Sequence, residues 1–479
     1  MNYIELSVFI AYFVFMVAIG LYFFSKSKGA GEKDYFLGGR NMGAWVSALS
    51  AGASDMSAWV LMGLPASIYL SGMGQTWIAI GLGIGYAVSW IFMAPRLRRF
   101  SIAANDSITI PQYLTNRFLS KNKSLQILSA IIFLVAYTIY AASSIKACGT
   151  LFNTVMDIDP TVAMYIAAFI IVAYTFLGGF SAVCWTDFFQ GMIMLAALLI
   201  APLFALALAK AGDGAATGAA LPDGFFNFFT TPQDIISGLG YFGMPHIIIR
   251  FMSLKSEKEL RKSSVIGISW TTIILIMSAL TAIAGRLYLG EIEDSSTVFI
   301  TMVRRIFPAL VSGLLLSAIL SAAMSTADSQ LLAASSAFAS DVYKPVIRKK
   351  ASDSEMLWAG RIVVIVIAIV ALFIASDPNS GSIMGLVENA WGVFGAAFGP
   401  VILLSLFWKR LTFGGTVAGI AVGAAVDILW LVFLSSTDIY EIVPGFAAGL
   451  LAAVVVSLLS KGPGKDVEDL FDRAVDLKS

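Results

Sequence analysis

Small residues, hydroxyls and one carboxylate interrupt an apolar run at Ser50-Ala51-Gly52-Ala53-Ser54-Asp55-Met56-Ser57-Ala58-Trp59. A helix broken there leaves backbone carbonyls and amides unpaired, and within hydrocarbon each unpaired group costs roughly 2–7 kcal/mol. The break therefore reads as a place where an ion or ligand supplies the missing partners. A second set of oxygens lies far along the chain: Ala322, Ser325, Thr326 and Ser329 fall at i, i+3, i+4 and i+7, so one helical face presents hydroxyls in a row. Hydroxyl and carbonyl oxygens with few formal charges suit a hard, weakly held monovalent cation such as Na+. Close helix packing through serine and threonine is the competing reading of that row.

The elements that must position these groups are membrane spans. Over 479 residues the chain is 58% hydrophobic and 13% charged, which excludes a soluble enzyme with a polar shell and predicts an all-α polytopic membrane protein embedded in a lipid bilayer. Apolar runs place thirteen transmembrane helices near residues 5–24, 45–70, 75–94, 125–152, 160–178, 187–209, 233–250, 265–285, 306–340, 358–376, 384–407, 412–434 and 441–460. Alternate loops are basic. One set carries Lys26, Lys28, Lys33 and Arg40, then Arg96, Arg98, Arg99 and Arg117, then Arg250, Lys255, Arg261 and Lys262, then Lys344, Arg348, Lys349 and Lys350, then Lys409 and Arg410. The other set holds few basic residues beside Asp157, Asp159, Glu291, Glu293 and Asp294. The positive-inside rule predicts a cell-membrane protein with its N-terminus outside and its C-terminus cytoplasmic.

Two spans are interrupted. The second contains Gly52 and Pro65, and the seventh reads Gly238-Leu239-Gly240-Tyr241-Phe242-Gly243-Met244-Pro245-His246, which a straight lipid-exposed helix disfavours. They are five spans apart. That spacing is expected of an inverted five-helix repeat, the LeuT-like arrangement, in which each half begins with a helix broken at the midplane. The expected organisation is residues 1–44 as a first helix and loop, 45–210 and 211–408 as the two repeats, 409–460 as two further helices and 461–479 as a short tail helix or mobile end. The first apolar run lacks a basic leader and an A-x-A site, so it reads as a retained span. A net charge of +1 predicts no nucleic-acid partner. Cys148 and Cys184 fall near opposite faces, and two cysteines with one histidine make neither a disulfide nor a zinc cluster. With no nucleophile and base, and no metal cluster, an enzyme is not expected.

Several long motifs occur in one order: Asp34-Tyr35-Phe36-Leu37-Gly38-Gly39-Arg40, Ser47 to Ser57, Gly178-Gly179-Phe180 with Trp185-Thr186-Asp187, Gly240-Tyr241-Phe242-Gly243 with Pro245-His246, and Ala323-Met324-Ser325-Thr326. On these the chain resembles the solute:sodium symporter family from its first span to its last, and its proline-transporting branch most. The resemblance implies sodium-coupled import of L-proline by alternating access, by a chain that functions as a monomer. Symport of another amino acid or small organic solute, coupled to sodium or to protons, is the alternative. It implies a sodium site made by the carbonyls of Ala53, Met56 and Ala322 with the hydroxyls of Ser325 and Thr326, assisted by Asp55. The substrate would be contacted by Ser57, Ala58, Trp59, Tyr140, Ser237, Tyr241, Met244 and Pro245, with half-helix N-termini facing its carboxylate. It also implies a second cation site, or a proton-binding carboxylate pair, at Asp187, Ser325, Asp328 and Ser329, with Asp328 as an inner-mouth aspartate facing water as the alternative.

Departures from the proline pattern qualify the substrate. Ser237 stands where a Trp is typical, Met244 where a Gln is usual and Ala58 where a Gly is usual. The missing indole leaves a roomier pocket or one refilled by another side chain. Lys146 and Glu388 also replace uncharged residues, and the topology puts both near the outer ends of their spans. An ion pair between them is expected to gate the outer entrance, with separate snorkelling of Lys146 and solvation of Glu388 as the alternative.

Overall fold

The computed structural model describes residues 2–26, 31–212, 221–437 and 439–476, with the side chains of all of these except 174, 177 and 178. Lys28 lies outside the described residues. The described chain is built from helices. Ten are long and apolar enough to cross a bilayer, and an eleventh crossing is the pair Pro232–Phe242 and Pro245–Ser253, bent by 49°. The other two expected spans are interrupted. One comprises Ala44–Asp55, Ala58–Val60 and Gly63–Ser71. The other runs from Pro160 to a kink at Gly179, inside the continuous helix Pro160–Ala211. A count of thirteen requires both interrupted passages to be taken as spans.

Contacts at the helix ends show which loops share a face. Arg40 pairs with Asp106, Arg98 donates to the carbonyls of Leu254 (2.8 Å) and Lys255 (3.0 Å), Lys344 pairs with Glu32, and Lys409 pairs with Asp472 at 2.6 Å. The basic loops therefore gather on one face with the tail helix Lys465–Val475. Arg117 also reaches that tail, donating to the carbonyl of Val467 at 3.3 Å. At the far end of the second span Tyr69 donates to the carbonyl of Gly290, just past the helix Glu257–Leu289, and this marks the opposite face.

Lipid tails are as apolar as leucine, so helices here associate through close contact of small residues. The first half of the seventh span is a 3-10 helix wedged between the third span (Met73–Ala103) and the eleventh (Ile383–Phe407). A Cβ on Gly238 would stand 2.2 Å from the carbonyl oxygen of Gly81, and one on Gly240 only 1.8 Å from the indole nitrogen of Trp391. Those glycines serve close packing at least as much as the break itself. The same holds for Gly52. It is helical, and an added Cβ would lie 2.6 Å from the Trp270 ring. The second span breaks after it, beyond Asp55, and Pro65 falls within the second half-helix.

Candidate functional site

The break redistributes backbone hydrogen bonds. In a continuous helix the Ser57 amide would donate to the carbonyl of Ala53 and the Val60 amide to that of Met56. Here Ser57 donates to Asp55 (2.9 Å) and Val60 to Ser57 (3.2 Å), which releases the carbonyls of Ala53 and Met56 from those partners. The ninth span, Ala309–Ser336, fills the first vacancy with a side chain. The Ser325 hydroxyl donates to the Ala53 carbonyl at 2.8 Å and also lies 3.3 Å from the carbonyl of Ala322, to which Thr326 donates at 3.0 Å. All of these residues are buried. The structure thus brings Ala53, Ala322, Ser325 and Thr326 into one cluster of neutral oxygens, with Met56 at the break beside it.

Asp55, the last residue of the first half-helix, accepts a hydrogen bond from the Tyr241 hydroxyl. No side chain caps the second half-helix, so Asp55 serves as a tether between the two broken spans. The Tyr241 ring packs edge-on against Trp391, with centroids 5.0 Å apart, and the Trp391 indole donates to the carbonyl of Ser237 at 2.9 Å. Trp391 thus stands over Ser237 and supplies an indole from the eleventh span. A cavity of ≈ 360 Å³ opens above these residues, with Asp55, Trp59, Ser237 and Trp391 in its wall. Its mouth, lined by Glu388, Ser435, Tyr440 and Glu441, lies on the face opposite the basic loops.

The remaining expected substrate contacts lie behind this wall. Ala58, Tyr140, Met244 and Pro245 are buried. The hydroxyls of Ser57 and Tyr140 face each other, but neither closes a hydrogen bond of normal geometry. Unsatisfied buried hydroxyls cost about 1–3 kcal/mol each, so a polar guest between them is favoured. The N-terminus of the second half of the seventh span is less available than expected. Pro245 has no N–H, the amide of His246 donates to the Tyr137 hydroxyl at 2.8 Å, and those of Ile247 and Ile248 return to the carbonyl of Met244. A substrate carboxylate is left with the break in the second span.

Two expectations are revised. Of Asp187, Ser325, Asp328 and Ser329, the Ser329 hydroxyl lies 3.4 Å from the Asp187 carboxylate, but these four are not a ligand set by themselves, because a built-in cation stands among them. The Arg250 guanidinium, 1% exposed, lies 3.1 Å from the Asp187 carboxylate and donates to Ser329 at 2.5 Å and to Ser50 at 3.1 Å. Ser50 in turn donates to Asp187 at 2.6 Å. Ser325 instead turns to Ala53, and Asp328 is buried on the same span. Arg250 reads as a loop residue in sequence; its place in an apolar half-helix, Pro245 to Ser253, was the available signal. Nor do Lys146 and Glu388 pair. Lys146 donates to the Ser380 hydroxyl at 3.1 Å and to the carbonyl of Gly381, whereas Glu388 faces the cavity beside Asp234 and Glu441. Trp391 was missed. It sits three residues after Glu388, on the same helical face. Cys148 and Cys184 are both buried free thiols.

Residues 35–423 match the model of the sodium:solute symporter family. The chain is 44% identical to the high-affinity proline transporter PutP of Bacillus subtilis, over 97% of this chain and all of that one. It is also 44% identical to the sodium/proline symporter of Haemophilus influenzae, over 98% and 97% of the two chains. Among solved structures, a Na+-coupled sialic acid symporter in a substrate-bound, outward-open state superposes with a TM-score of 0.79 at 21% identity, covering 96% of this chain and 99% of that one. At that identity the likeness establishes a shared fold.

Proposed function

The chain belongs to the sodium:solute symporter family, a family of Na+-coupled secondary transporters and not of enzymes, and on that premise we propose that it imports L-proline with Na+ across the plasma membrane. The observation that carries the coupling is the Ala53 carbonyl, freed by the break and met by the Ser325 hydroxyl of the ninth span at 2.8 Å. Na+ would be held by the carbonyls of Ala53, Met56 and Ala322. The hydroxyls of Ser325 and Thr326, which now donate into this cluster, would rotate to present lone pairs to the ion. Binding there ties the second span to the ninth and fixes the geometry at Asp55. Ser57, Trp59 and Tyr140 are thereby poised for the substrate, so ion and substrate stabilise the same state.

The relatives named for proline transport support the substrate, and Trp391 answers the departure at Ser237. With an indole restored from another span, the pocket keeps a wall suited to a small apolar ring, despite Ala58 and Met244. We place the basic face in the cytoplasm and the N-terminus outside, from the positive-inside rule. The cavity then opens to the exterior and the state is outward-facing. Residues 45–210 and 211–408 act as the two inverted halves. Because the whole path lies within one chain, a monomer suffices.

Labelled L-proline uptake into proteoliposomes under an inward Na+ gradient, with K+ replacement and unlabelled amino acids as competitors, tests this reading. Sodium-dependent accumulation blocked chiefly by proline is expected. Sodium-driven uptake of another solute, with none of proline, would show that Ala58, Ser237 and Met244 had changed the substrate.

A further inference from the structure

The charged residues that line the cavity are all acidic. Asp234, Glu388 and Glu441 line it and Asp55 lies at its floor, with no Lys or Arg among the described lining residues. None of Asp234, Glu388, Asp427 and Glu441 takes part in an ion pair among the described residues. Asp427, one turn before the cavity residue Trp430 on the twelfth span (Phe413–Phe433), is fully buried, and neither of its carboxylate oxygens has a hydrogen-bond partner. Glu441, the residue that opens the thirteenth span (Ile442–Leu459), lies near it across Gly392. An oxygen of Asp427 and one of Glu441 lie 3.0 and 3.2 Å from the position a Cβ on Gly392 would take, so the gap between them exists only because residue 392 has no side chain. The Tyr440 hydroxyl donates to the carbonyl of Glu388 at 3.0 Å and holds this corner against the eleventh span.

A buried carboxylate with no donor, facing a second carboxylate, is strongly unfavourable unless a positive charge lies between them. Among the described residues, the titratable groups that act on this gap are acidic or phenolic: Glu388 from the eleventh span, Tyr440 and Glu441 from the thirteenth, Asp234 from the seventh and Tyr140 from the fourth. No group of three or more metal-ligating side chains gathers among the described residues, so the gap suits a singly charged cation better than a divalent one. We propose that Asp427 and Glu441, across Gly392, form a second cation site at the outer mouth, taking one small monovalent cation, Na+ or a proton shared by the carboxylates. This site is separate from the oxygens of the second and ninth spans, and it concentrates positive charge where the coupling ion enters.

Equilibrium binding of radioactive Na+ to the purified full chain, without proline, and Na+-driven transport across a pH series test it together. If Na+ is the occupant, Asp427→Asn and Glu441→Gln each bind one Na+ fewer at saturation, whereas Thr326→Ala keeps the wild-type count but reaches it only at higher Na+, and the Asp427→Asn/Thr326→Ala double variant shows both changes. If a proton is the occupant, the Na+ count stays that of the wild type, and the wild-type transport profile shows an acid-side titration that Asp427→Asn and Glu441→Gln lack. Gly392→Ala changes no charge but fills the gap, and it is expected to copy Asp427→Asn; it also serves where that variant fails to fold. Folded variants with both the wild-type Na+ count and the wild-type pH profile would overturn the site. Because the binding arm needs no proline, a wrong substrate assignment would leave its outcome intact.

Discussion

At the scale of single residues, the meeting of the second and ninth spans uses neutral oxygens for its reversible site, whereas Arg250 and Asp187 use full charges for a permanent contact. The Ser325 and Thr326 hydroxyls now donate to carbonyls at 2.8 to 3.3 Å, contacts that an arriving ion replaces at little cost. Thr326→Ala should therefore raise the Na+ concentration for half-maximal uptake about 10- to 100-fold, the equivalent of one lost contact to a charge. The maximal rate at saturating Na+ should change far less, and Na+-activation curves check both. Arg250 and Asp187 represent the opposite design. Both are buried, and removing one partner of such a pair costs about 3–5 kcal/mol, whereas replacing both is much milder. Arg250→Met should lower the thermal unfolding midpoint sharply, and adding Asp187→Leu should recover part of the loss; a double variant worse than either single one would contradict this.

At the scale of elements, the broken spans work because unbroken ones complete them. The third span provides the glycine surface on which the 3-10 half of the seventh sits, the ninth supplies the hydroxyls, and the eleventh supplies the indole over Ser237. Trp391→Ala should enlarge the cavity and free Tyr241 from its edge-on neighbour. The expected result is weaker proline competition, by about tenfold or more as for a lost buried aromatic contact, together with better competition by bulkier amino acids. Unchanged selectivity in the uptake assay would remove Trp391 from the pocket wall. The sequence pattern revealed that the second and seventh spans are interrupted, since several glycines, a proline and a carboxylate are poor company for a straight apolar helix. It did not reveal where. Gly52 looks like a breaker and is a packing residue for Trp270, because a helical position without a side chain looks the same in sequence whether it yields to a bend or to a neighbouring ring.

Across the whole molecule, the cavity opens on one face while the basic face is tied shut. Arg40 donates to Asp106 at 2.8 Å, to the Met252 carbonyl at 2.6 Å and to the Ser107 carbonyl at 2.8 Å, joining the first loop, the end of the third span and the end of the seventh. Burial alone would raise the Asp106 carboxyl, but hydrogen bonds from Lys33 and Arg40 hold it below the usual carboxylate range. A group held below its unfolded value contributes its stabilisation above the ordinary carboxylate range and loses it only as pH falls through the lowered value. The tie should thus persist through neutral pH and release in acid. Arg40→Ala should release it at any pH, and faster alkylation of the buried Cys184 in a Cys148→Ser background would report that opening. Equal alkylation rates in the two proteins would show that Arg40 does not hold this face closed.

By itself, the sequence determined the membrane class, the crowding of basic loops on one face, the two interrupted spans and the family, because these rest on composition, periodicity and long local motifs that survive without coordinates. The cluster of Ala53, Ala322, Ser325 and Thr326 was legible for the same reason: a break and a hydroxyl row are both local patterns, and the resemblance joined them. The tertiary structure alone decided which side chains meet between distant spans. It put Arg250 into the carboxylate cluster, turned Lys146 to Ser380 and away from Glu388, and swung Trp391 over Ser237. A charged or aromatic side chain reaches several ångströms in directions set by helix rotation and crossing, and neither is encoded in the spacing of one helix's own residues.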